Sequence, residues 1–200
     1  MSDSGRWFEV DLALDVRAVA AFADNLTPYI YEEALYGHLS DSSLPRLTLG
    51  GLLMRLKRLA ALSDQLSAAE QDIVAHATHR YNAVRAEWRV AFENKVHQEL
   101  KARLNALEAY VAECSSDVRA CADNYPSTME KRVMVVHLQA EAEATNIWTD
   151  AYNGRLLALD NSLRNMCEAG PFCWAPKVQP AYPQEQFWFL YARVRVPPAR

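Results

Sequence analysis

The chain predicts an all-α fold organised around one long antiparallel helical hairpin. Apolar residues recur at steps of mostly three and four from Ala69 to Cys121, the period of a helix with one buried face. The same period resumes at Met129 and runs to Met166. Half of the 200 residues are hydrophobic, 23% are charged and only six are glycine, a composition that suits a folded protein rich in long helices. One domain over 1–200 is expected.

In chain order, residues 6–14 alternate. Phe8, Val10, Leu12 and Leu14 fall on one side, opposite Trp7, Glu9 and Asp11, which predicts a strand-like arm. Asp15 is placed to cap a helix over 16–25. Thr27-Pro28 supplies a cap and a first-turn proline for a helix over 28–39, where Tyr29, Ile30, Tyr31, Leu35, Tyr36 and Leu39 read as core, with the lining of a ligand pocket as the alternative. Residues 40–45 form a loop. Thr48 caps a helix over 49–62 whose stripe is Leu49, Leu52, Leu53, Leu56 and Leu59. The span 16–62 is thus a base of short helices.

Ser67-Ala-Ala-Glu70 is a capping box that opens the first hairpin arm, about residues 67–123 and roughly 80 Å long. Its weakest point is Ser115-Ser116-Asp117, where poor helix formers cluster. The turn is expected at Asn124-Tyr125-Pro126. Ser127-Thr-Met-Glu130, a second capping box, then opens the other arm at 127–168. Gly170-Pro171 ends it, four prolines follow within 171–186, and 187–196 reads as an aromatic, β-branched strand. The two terminal arms can pair with each other.

Net charge is −4, which argues against general nucleic-acid binding. No apolar run reaches the roughly 18 residues that a membrane span needs. The polar, acidic start lacks the pattern of a signal peptide, so a cytoplasmic location is expected. Cys114 and Cys121 sit seven apart on one expected helix, about 10 Å of rise, too far for a mutual disulfide. They, and Cys167 and Cys173, are expected as free thiols.

Candidate metal ligands are His137 and Glu141, one turn apart, with Glu113 level with them across a turn at Tyr125. His97, paired with Glu93, would lie roughly 24 Å further along the axis, so the two pairs cannot share an ion. His76 and His79 form the densest histidine cluster. These residues most simply carry solvent-side hydrogen bonds and ion pairs. Arg55, Lys57 and Arg58 lie outside the stripe of the 49–62 helix. They are read as a solvated face, with an anionic membrane surface or nucleic-acid backbone as the sharper alternative. The amides of Leu49-Gly50-Gly51 can receive an anion. No phosphate loop, nucleophile elbow or zincin helix occurs, so no catalytic set is named.

The leading expectation is a non-catalytic scaffold acting through protein–protein contacts of its hairpin. No cofactor is expected. A homodimer would cover the exposed part of each stripe. The alternatives are a ligand- or divalent-metal-binding bundle, with enzymatic activity as one form of it, and charge-driven binding through the 49–62 helix.

Overall fold

The computed structural model describes residues 8–197. The all-α expectation holds: seven α-helices carry the fold of these residues, with two three-residue strands and short 3-10 turns. The helices are α1 (Leu12–Asp24), α2 (Leu26–Tyr31), α3 (Leu49–Ala61), α4 (Ala68–Glu87), α5 (Arg89–Glu113), α6 (Val118–Ala144) and α7 (Asp150–Met166). The strands are β1 (Cys167–Ala169) and β2 (Ala192–Val194). α5 and α6 form the most extensive helix pair. α3 packs across both, α1 covers α3 and α4, and α7 lies along α5.

The antiparallel hairpin exists, but its turn is at Ser115–Asp117, not at Asn124–Pro126. Asp117 accepts the Ala120 amide as the cap of α6, and a Cys114–Cys121 disulfide closes the turn, with Cα atoms 5.2 Å apart. The expected free thiols at these two positions are therefore corrected. The seven-residue spacing excludes a disulfide on a continuous helix, and here the helix ends between them. Pro126 lies inside α6. Its carbonyl accepts the Trp174 indole N–H, and the Ser127 hydroxyl donates to the Asn124 carbonyl instead of capping a helix. The expected single arm over 67–123 is also divided at Trp88, so no 80 Å helix forms. The second arm is divided at 145–149, where Asn146 takes a left-handed conformation (φ 59°).

Among the described residues the terminal arms do not pair with each other. β2 runs antiparallel to β1, with Cys167 opposite Val194. Residues 188–191 form a 3-10 turn, so the expected strand over 187–196 shrinks to three residues. Residues 6 and 7 of the expected N-terminal arm lie outside the described residues. Phe8 makes one bridge to Trp174, and helix begins at Leu12, four residues before the expected start. Asp11, not Asp15, is its cap, accepting the amides of Ala13 and Leu14.

The expected helix over 28–39 stops at Tyr31. Residues 32–35 run as a strap whose carbonyls are taken by other elements. Lys95 donates to Glu32 and Ala34, Gln98 to Glu33, and the Tyr29 hydroxyl to Leu35. α5 thus supplies the hydrogen bonds that a helical continuation would have made internally. By contrast, Thr48 caps α3 and the Ser67–Glu70 capping box opens α4, as the local pattern predicts.

Candidate functional site

Each residue singled out from the sequence has a definite place. Arg55 and Arg58 are buried, not solvated. Both pair with Asp15 of α1, at 3.0 Å and 2.6 Å, and Arg58 also donates to the Tyr182 hydroxyl. Of that basic group only Lys57 faces solvent, so the expected cationic face does not exist. The α3 amides do receive an anion, and it is internal. Glu99 of α5, wholly buried, accepts the Gly50 amide at 2.9 Å and is paired with Arg103. A Cβ on Gly50 would come within 2.9 Å of the Glu99 carboxylate, so glycine there permits the approach.

The candidate metal ligands are not brought together. Glu141 is held by Arg85 of α4 at 2.7 Å. With the turn at Ser115–Asp117, Glu113 sits at the hairpin tip, roughly 27 Å along the axis from the level of His137. The corrected turn brings His97 and His137 to similar levels, but they face different neighbours. His97 hydrogen-bonds the Tyr152 hydroxyl of α7 at 3.0 Å, whereas His137 packs against Phe187. Burial, with Lys57 and Arg58 nearby, pushes the His137 pKa down to about 4, and its Nε2 has no hydrogen-bond partner. His76 and His79 are exposed on α4. Among the described residues, no group of three or more His, Cys, Asp or Glu side chains is placed to hold a metal ion.

Cys167 and Cys173 are free, as expected. Burial raises both thiols, Cys173 to about 12, so neither carries appreciable thiolate at neutral pH.

A wide concavity lies elsewhere, at the α4–α5 junction. It is a cleft of about 730 Å³ between the 32–35 strap and the first turns of α5. Trp88 ends α4, with its amide on the Val84 carbonyl while its own carbonyl starts α5 through Phe92. This break leaves the indole at the mouth of the cleft. Tyr31, the last residue of α2, meets it edge-on with ring centroids 5.6 Å apart. Tyr31 is 57% exposed, Trp88 37% and Val90 71%. Glu32, Glu33 and Glu87 complete the rim and Lys95 forms the floor. The Lys95 ammonium lies 4.3 Å from the Tyr29 ring centroid and spends two donors on the strap carbonyls, so it positions the strap. Burial lowers its pKa, and Glu32 and Glu99 partly offset this.

From the sequence, Trp88 reads as one more stripe residue, and Tyr31 as part of an aromatic helix that packs as core or, as the alternative, lines a pocket. One signal for the break was present: the stripe takes a step of five from Ala91 to Val96. Among the described residues no helix is long and apolar enough to cross a membrane. The chain matches no protein family, no curated protein and no solved structure.

Proposed function

We propose that this protein is a non-catalytic interaction module that docks a partner protein in the cleft at the α4–α5 junction. The observation that carries this reading is the exposed apolar group Tyr31, Trp88 and Val90 at the mouth of the α4–α5 cleft. Contiguous apolar surface of this kind, rimmed by polar residues, marks interaction sites. Tryptophan and tyrosine are also the residues that most often dominate binding at such sites.

The hairpin is not the favoured surface. Its stripe residues Val96, Leu100, Leu104, Leu107, Met129 and Val133 are covered within the chain, which removes the argument for a dimer formed to bury them. A spacer role loses its premise with the division of the long arm at Trp88. A metal-binding role is not favoured either, because Glu141 is engaged by Arg85 and lies far from Glu113.

The test is a photo-reactive benzoylphenylalanine introduced at Val90 of the full chain in its native cell, with the same group at Leu157, an exposed control on α7. A single defined adduct at Val90, absent at Leu157 and lost with Trp88→Leu, is expected. Equal labelling at both positions, or none at Val90, would overturn the reading.

A further inference from the structure

The rim of the α4–α5 cleft joins two kinds of group that together recognise a cation. Tyr31 and Trp88 present adjacent aromatic faces in an edge-on pair. Six other aromatic–cation pairings occupy Tyr36 (twice), Phe22, Tyr29, Phe189 and Trp188, with Arg164 only 3.8 Å from the Trp188 ring centroid. Among the described residues no cation lies over Tyr31 or Trp88.

Around them stand Glu32, Glu33 and Glu87, all exposed, and none forms an ion pair among the described residues. The basic groups lining the cleft are already engaged. Arg89 is paired with Glu93 at 2.6 Å. Lys95 is turned onto the Glu32 and Ala34 carbonyls beneath the rim. Lys95 offsets part of the Glu32 charge, and the mouth is left with an excess of negative charge beside two aromatic faces, the combination that favours a guanidinium or ammonium group. The same charge repels an acidic peptide, a nucleic-acid backbone and an anionic membrane surface.

We infer that the partner docked here presents a basic segment, with an arginine or lysine side chain laid over Trp88 and Tyr31 and countered by Glu32, Glu33 and Glu87. This rests on the interaction-module reading and names the chemistry of its partner. Val90 and Ile30 supply the apolar wall along which the methylene stem of such a side chain lies.

The probe is a fluorescein-labelled peptide of alternating arginine and glycine, titrated with the full chain and followed by anisotropy. A peptide with glutamate in place of arginine is the control. Saturable binding of the arginine peptide alone is expected. It weakens at least tenfold in Glu32→Gln/Glu33→Gln/Glu87→Gln and in Trp88→Leu, and it falls with added salt. A charge-matched triple variant at distant exposed positions, Asp72→Asn/Glu113→Gln/Asp123→Asn, retains it. Equal loss in both triple variants, no binding of the arginine peptide, or preference for the glutamate peptide would each overturn the inference. The Val90 cross-link separates the two readings. An adduct at Val90 with no binding of the basic peptide sinks only the cationic partner, whereas no adduct and no peptide binding sinks both. An adduct between two copies of this chain identifies a second copy as the occupant and also overturns the inference.

Discussion

His137 sets the clearest pH dependence in the molecule. Its neutral ring is held against Phe187 with an unpartnered Nε2, and its pKa falls from an ordinary 6.5 to about 4. A histidine depressed in the folded state takes up its proton more readily when unfolded. The contribution of His137 to stability is therefore complete above about pH 6.5, is lost as the pH falls from there to about 4, and changes no further below that. The full loss is on the order of 3 kcal/mol. Melting temperatures across this window should show a component that disappears in His137→Leu. Glu99 makes a second prediction at the same scale. Removing a buried carboxylate strands its partner, so Glu99→Ala should cost about 3–5 kcal/mol in urea unfolding by leaving the Gly50 amide unsatisfied and Arg103 without its counter-charge, hydrogen-bonded only to the Thr48 hydroxyl. Caps were legible because their partners lie within three residues, as at Thr48 and Ser67. Asp15 and Glu99 were not, because Arg58 lies 43 residues from Asp15 and Gly50 lies 49 from Glu99.

Among the elements, the hairpin turn departs furthest from its expected position. The sequence places the turn at the proline before Ser127–Glu130 and marks Ser115–Asp117 only as a cluster of poor helix formers. Asp117 prevails because ending α5 at Glu113 lets Tyr125 donate to the Phe189 carbonyl and Trp174 reach Pro126. Pro126 is tolerated although it removes one internal hydrogen bond from α6. The placement has a chemical consequence. Protein denatured without reductant should show two free thiols and not four. Cys114→Ser/Cys121→Ser should lower stability by about 2.5 kcal/mol, the entropy of closing so short a loop. Four reactive thiols would place the turn elsewhere. The 32–35 strap follows the same logic. Nothing in its own residues forbids helix, and it is drawn out because Lys95 and Gln98 take its carbonyls.

For the molecule as a whole, the division of the long arms turns an expected rod into a compact body. α4 spans 20 residues and α5 spans 25, so neither approaches 80 Å. Small-angle scattering should give a radius of gyration of about 17 Å for the monomer. A maximum dimension set by an unbroken helix over 67–123 would refute the fold. The C-terminal segment closes this body. Phe172, Trp174, Tyr182, Phe187 and Phe189 form one aromatic cluster over α3 and α6, and Arg58 and Asp15 tie it to α1.

Helical class, the buried stripe of α5 and the caps of α3 and α4 follow from local chemistry, whereas beyond Val133 α6 buries Val135, Leu138 and Ala142 and leaves the expected Ala140 and Ala144 exposed. A helix satisfies its backbone within four residues, and its apolar period is written directly in the chain. The positions of the breaks, the cysteine pairing, the buried charge partners and the cleft depend on which side chains meet across the fold. At Trp88 no glycine or proline announces an interruption. The buried positions pass from Val84 to Phe92 and leave the indole partly exposed at the cleft mouth, because the packing of α4 against α1 and of α5 against α6 requires different faces on either side of the break.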